Sequence, residues 1–266
     1  MKRIVFFISI LIVLTLLFAY GATFYGKSPM LPSGDSLAPP SFEHFLGTDD
    51  LGVDIFAQLS RGYFHSLLLG LSACIVTFIV GGFLGVLGGY CGGIIDDVVS
   101  SIINLFLSVP QIPIMIVMGA FFGQSVFNIV IIVAMFSWAS IAKIVRAKTI
   151  SIRKRNYIML ASSFGGNFLY VFLKHMKSEI IPVLAVNSVA VIGKAIIQEA
   201  SIAFLGLSDP TSKSWGLMIN KAIEFKGIYF TNYWTWWILP PLISLIVTIL
   251  CIRCISKEIE HIIVSN

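Results

Sequence analysis

Three small constellations in this sequence could do chemistry. Residues Gly21 to Ser28 read GATFYGKS. A glycine, four free positions and Gly-Lys-Ser spell a phosphate-binding loop, whose backbone N–H groups and lysine hold the phosphates of a nucleotide. Such a loop needs a buried strand before it and a helix after it. Cys251 and Cys254 form C-x-x-C, the spacing of a redox pair or of half a zinc site. Lys194 and Glu199 are charges inside a long apolar stretch, where each costs about 2.5–3.5 kcal/mol on insertion scales. His44, His65, His175 and His261 are scattered, and no pair of them has metal-ligand spacing.

The elements that must position these residues are set by composition. Of 266 residues, 57% are hydrophobic and only 12% charged, with a mean hydropathy of +0.93. A soluble domain carries about 25% charged residues. Half of that cannot cover a water-facing surface, so the chain is an integral membrane protein. The net charge of +5 then concerns orientation in the bilayer rather than nucleic acid.

Residues 4–20 are apolar and uncharged. They are long for the hydrophobic region of a signal peptide and read as a retained first helix. Ser66 to Ile95 is uncharged and glycine-rich toward its end, with Gly81, Gly82, Gly85, Gly88 and Gly89. Small residues of this kind let membrane helices approach closely. Val98 to Ala142 is uncharged as well. As one helix it would be roughly twice as long as the ~30 Å hydrocarbon core is thick. It must be two spans, with a turn expected near Gly123-Gln124-Ser125 and a kink or break at Pro110 and Pro113. Further spans are expected at about 180–207 and 234–252, the last opening on Trp234, Trp236 and Trp237.

The fold expected is all-α, with six transmembrane helices and both termini on one side. With the termini inside, the inner segments carry twelve basic residues and the outer ones five. The positive-inside rule therefore places both termini and the 143–179 loop in the cytoplasm. Gly21 to Ser28 then follows a membrane helix, precedes Pro29 and Pro32, and lies on the outer face. It reads as a chance match. Cys251-x-x-Cys254 reads as helix packing. Thr48 reads as the cap of a short outer helix with Asp49, Asp50 and Asp54 in its first turn. Asp96 and Asp97 read as caps of the third span.

The 143–179 loop is the most informative segment. A basic stretch leads to Tyr157-Ile158-Met159-Leu160-Ala161, then Gly165, then Phe168, Leu169, Val171 and Phe172. A short helix pair with an apolar face, a glycine at the bend and no catalytic group reads as a docking element or as an amphipathic helix on anionic lipid.

This loop resembles the coupling loop of permease subunits in binding-protein-dependent ABC importers, whose motif is Glu-Ala-Ala followed by Gly. The resemblance runs from about Phe45 to the C-terminus through FLGTDDLGVDIF (45–56), VPQIP (109–113), EASIAFLGL (199–207) and SWGLMI (214–219), in that order. It is similar to the C-type permease of the dipeptide, oligopeptide and nickel branch. Met159 replaces the motif's acid, Val53 replaces an arginine, and Lys177-Ser178 stands where many peptide permeases have Leu-Pro. The Leu160-Ala161-Ser162 spelling, the last departure and WGLMIN (215–220) lean toward nickel. Glu199 before Ala-Ser leans toward peptides.

The resemblance implies a type I ABC importer permease fold in a bacterial inner membrane. It implies an outer loop with a short helix at 21–62, a permease domain at 63–256 and a cytoplasmic tail at 257–266. Tyr157, Met159, Leu160, Ala161, Gly165, Phe168 and Phe172 would couple to the ATPase, on a coupling helix running from about Tyr157 to Phe172. Lys194 and Glu199 would line the path. The implied partners are a homologous second permease, two cytoplasmic ATPases that use ATP and Mg, and an outer solute-binding protein. The chain itself would hold no cofactor or metal and catalyse nothing. Its cargo would be nickel, a nickel chelate, or di- or oligopeptides. A secondary transporter, or a membrane scaffold that recruits a cytoplasmic partner, are the alternatives.

Overall fold

A computed structural model describes residues 2–122, 126–209 and 211–265. Among them there is no strand, only an isolated bridge between Thr48 and Asp54. Helix α1 is Lys2–Thr23. Helix α2 runs Ile55–Cys91 and contains one π-helical turn, Thr77–Gly81. Helices α3 (Gly93–Ser108) and α4 (Gln111–Phe122) follow, then α5, Val126–Arg153, and the short α6, Asn156–Ser163. Helix α7 is Phe168–Phe204, with a second π turn at Phe172–Met176. Helices α8 (Trp215–Glu224) and α9 (Leu239–Ser265) complete the order. Among the described residues five segments, α1, α2, α5, α7 and α9 with its lead-in turn, are long and apolar enough to cross a membrane, and α3 with α4, bent by 83°, makes a sixth if the pair is one span.

The bend sits at Pro110, which has no N–H to continue the ladder. It also forces Val109 to extended backbone, φ −84° and ψ 128°. Pro113 does not break the chain. It lies in the first turn of α4, where N–H groups have no partner in any case. The turn expected at Gly123-Gln124-Ser125 lies outside the described residues.

In lipid the apolar effect does not drive helices together, so packing and polar contacts must. Gly81, Gly85 and Gly89 form a stripe at four-residue spacing on α2. A Cβ on each would lie 3.0 Å from the Trp138 carbonyl, 2.7 Å from the Ala142 carbonyl and 2.8 Å from the Arg146 carbonyl. Backbone thus meets backbone along α5. Below the stripe, Arg146 of α5 forks onto Asp96 of α3, with Nη2 2.6 Å from Oδ2. Asp96 was expected to cap α3, but Gly92 occupies that cap, and the carboxylate ties two helices instead. The central core joins Leu69, Ala73 and Val86 of α2, Val145 and Ile152 of α5, and Met176, Ile180 and Leu184 of α7.

Residues 24–54 are held by buried polar groups. Thr48 is not a helix cap: its hydroxyl donates to the Asp35 carbonyl at 2.6 Å and accepts from the Ala38 N–H. Asp54 is the cap of α2. Its Oδ1 accepts from the Ala57 N–H at 2.9 Å, and its Oδ2 meets His44 Nδ1 at 2.8 Å and the Tyr25 hydroxyl at 2.9 Å. Burial, helped by Asp54, pushes Tyr25 up to about 12. Asp49 accepts from the N–H groups of Leu51 and Val53 and from Gln58 Nε2, and Gln58 Oε1 accepts from Lys213 at 3.3 Å. Burial pushes the Lys213 ammonium pKa down. Gly52, at φ +75°, closes this turn. A Cβ there would run into the Gly34 carbonyl oxygen.

Gly21 to Ser28 has no phosphate-loop context. Gly21 is inside α1, packed on Ser60 of α2, and the Ser28 hydroxyl accepts from the N–H groups of Met30 and Leu31.

Candidate functional site: the docking turn and the membrane interior

The 154–167 turn lies between α5 and α7. Arg155, in extended backbone, starts α6. Helix α6 ends in a Schellman motif. The Gly166 N–H donates to the Ala161 carbonyl and the Gly165 N–H to the Ser162 carbonyl, both at 3.1 Å. Gly165 is at φ +87°, a conformation that favours glycine. Asn167 then caps α7, its Oδ1 accepting from the Tyr170 N–H at 2.8 Å. The segment Tyr157–Phe172, expected as a helix pair with a glycine at the bend, is two helical pieces joined at Gly165. The second is the beginning of the span that was expected to start near residue 180.

This geometry sorts the candidate residues by side. Ile158 and Val171 are buried and join the core. Phe168 packs on Tyr90 of α2 at 4.8 Å and on Phe172 at 6.2 Å, so both phenylalanines face inward. Ala161 is half-buried. Tyr157, Met159 and Leu160 face outward. The outward apolar surface also includes Phe164, 87% exposed, with Leu169, Tyr170 and Leu173. Sequence reading passed over Phe164, Tyr170 and Leu173. The helical period of α7 separates Phe168, Val171, Phe172 and Met176 from Leu169, Tyr170 and Leu173, and that period was the available signal.

Replacing Gly165 with alanine tests the turn. Nothing lies within 4 Å of the added Cβ, so the cost is conformational, about 1–2 kcal/mol. Amide exchange at 163–167 should accelerate by about tenfold with the spans unchanged. Unchanged exchange there would show that the turn does not depend on its left-handed residue.

In the membrane interior, Lys194 and Glu199 face different ways. Lys194 is exposed on this chain, on a stripe of α7 with Ile197 and Phe204. Glu199 is fully enclosed, its Oε1 3.8 Å from His65 Nε2 of α2. Gln198 Nε2 donates to Gln111 Oε1 at 2.7 Å, and Gln111 Nε2 donates to the Phe136 carbonyl at 3.2 Å. This bridge stitches α7 to α4 just past the Pro110 bend. Sequence reading did not single out either glutamine, although each is polar within an apolar run.

A set of packed apolar helices, one pair of them sharply bent, with a structured apolar turn at one end, is the arrangement of a multi-pass membrane protein. The model for "Binding-protein-dependent transport system inner membrane component" matches residues 81–260, and the chain belongs to that family. The glutathione transport system permease protein GsiD of Pectobacterium atrosepticum is 35% identical over 184 residues, 69% of this chain and 61% of that protein. The dipeptide transport system permease protein DppC of Bacillus subtilis is 29% identical over 186 residues, 70% of this chain and 58% of that one. The chain thus aligns with about three-fifths of each of these relatives. A chain of the inward-facing MetNI methionine ABC transporter matches in fold, with a TM-score of 0.62 and 19% identity over 77% of this chain and 96% of that one. The fold is that of a type I ABC importer permease, and the chain is a multi-pass inner-membrane permease.

Proposed function

We propose that this chain is one of two permeases in an ATP-driven importer of short peptides. The outward apolar surface at Met159, Leu160, Phe164 and Leu169 carries this reading. It is presented on a turn fixed by a Schellman motif and an asparagine cap, which suits a rigid partner better than fluid lipid. In this reading the surface docks on a cytoplasmic ATPase, which uses ATP and Mg. A second permease completes the path, with Lys194 facing it, and an outer binding protein supplies the cargo. Both termini are cytoplasmic, on the strength of the basic residues around 143–177. The permease unit runs from about residue 63 to 256, with α1 packed on its outside.

The names of the relatives favour peptides, as does Glu199-Ala-Ser in EASIAFLGL. The lean toward nickel rests on the Leu160-Ala161-Ser162 spelling of the loop, on Lys177-Ser178 and on WGLMIN. Family membership favours the importer over a secondary transporter or a scaffold.

The test is a mild-detergent pull-down of the tagged chain with mass spectrometry of its companions. Recovery of a second permease and a Walker-containing ATPase is expected, and the associated binding protein should bind di- or tripeptides in calorimetry. A chain recovered alone would overturn the importer reading. A binding protein that takes nickel and no peptide would overturn the cargo.

A further inference from the structure

Glu179 stands where the docking turn meets the membrane, near the start of α7. Its carboxylate gathers groups from three other segments. Arg155, in the link between α5 and α6, forks onto it, with Nη1 2.5 Å from Oε1 and Nη2 3.0 Å from Oε2. Lys148 of α5 places Nζ 3.1 Å from Oε2. The Tyr157 hydroxyl of α6 donates to Oε1 at 3.4 Å and accepts from Arg155 Nη1 at 3.2 Å. Residues 143–178 contain no acid, so nothing else in the turn can gather these cations. Isolated surface ion pairs contribute little. A two-pronged arginine fork joined by a second cation and a phenol has the directed geometry that makes a network different.

We infer that Glu179 is the positioning residue that ties α6 to α5 and α7, so that the docking turn and these two spans move as one body. The buried contacts of Ile158 and Val171 hold the inner side of the turn. The Glu179 cluster holds its edge, through the Tyr157 hydroxyl of α6 and the Arg155 guanidinium just before it. The inference rests on the docking reading above for its consequence in transport, but the tie itself is a property of this chain. Because the side chains of Glu179, Lys148 and Arg155 are 29%, 34% and 43% exposed, the tie must weaken with salt.

The experiment is amide exchange on the full chain in lipid nanodiscs. Glu179→Gln keeps the shape of the side chain and removes its charge. Exchange over 156–171 is expected to rise about tenfold, within the range over which conformational couplings act, with α2 and α9 unchanged. Raising KCl tenfold should speed exchange there in the wild type and not in Glu179→Gln, a response that apolar packing would not show. Wild-type exchange in the variant, or a wild type indifferent to salt, overturns the tie. In the complex recovered with its ATPase, ATP and vanadate should change exchange at 190–204 in the wild type, and Glu179→Gln should cut that change about tenfold at unchanged ATPase content. An undiminished change would overturn the role in transmission. Failure to recover any ATPase would count against the docking reading alone, since the first measurement needs no partner.

Discussion

Replacing Gly85 with leucine is expected to leave almost no folded protein in the membrane. Even a bare Cβ at this position would lie 2.7 Å from the Ala142 carbonyl oxygen and 2.8 Å from Val145 Cβ. Both obstacles belong to α5, and one is backbone, so no rotamer change relieves them. Helices α2 and α5 would have to part along the stripe that also includes Gly81 and Gly89. Inserting one methylene into a packed core costs about 1–3 kcal/mol. Four carbons against backbone exceed that, in a protein whose whole stability is about 5–15 kcal/mol. Fluorescence-detected size exclusion of tagged protein would read this as loss of the monodisperse peak. Phe83→Leu, on the exposed side of α2, should be silent. A Gly85→Leu peak equal to wild type would mean that the two helices do not approach as described.

Removing the Asp54 carboxylate should cost about 2 kcal/mol, the sum of a lost helix cap and one orphaned buried partner. Asp54→Ala strips the cap from the Ala57 N–H and leaves the buried His44 Nδ1 without its partner, while the Tyr25 hydroxyl keeps its contacts with the backbone of Glu43 and Phe45. Residues 24–54 should then become open to protease while the spans stay intact, and Tm should fall. Asp50→Ala, on an exposed neighbour, should shift Tm by no more than about 0.5 kcal/mol equivalent. If the two variants behaved alike, the polar lock would have no energetic weight.

The spans were legible from the sequence because membrane helices announce themselves by length and lack of charge. The break at Pro110 was legible for the same reason that it forms, a missing N–H inside an apolar run. Helix boundaries at the water-facing ends were harder to read. Lys174, His175, Lys177 and Glu179 look like loop residues in one dimension, yet they lie on α7, held there by Phe168, Val171 and Met176 on its inner side. The 48–54 stretch was read as a capped helix because Thr and Asp have the right spacing. Its real basis is a turn closed by Gly52, which becomes visible only once Gln58 and Lys213 are known to reach Asp49. The His65 approach to Glu199 and the Gln111–Gln198 bridge join residues distant in the chain, and no local pattern encodes them. The glycine at the bend of the turn is legible from the residues themselves, and its positive φ supplies the physical reason.

Helix α7 is a single element of 37 residues from Phe168 to Phe204, about 55 Å long at 1.5 Å per residue. Its first turn carries the exposed Leu169 and Tyr170, and its far half holds Lys194. A push on Leu169 or Tyr170 is thus applied to the short arm of a lever whose long arm crosses the bilayer. The lever is not uniformly stiff. The π turn at 172–176 and Pro182, which cannot donate to the carbonyl one turn back, are two compliant joints near its base. Glu179 braces the shaft between them against α5. A tilt at the docking end therefore reaches mid-membrane only as faithfully as that brace allows.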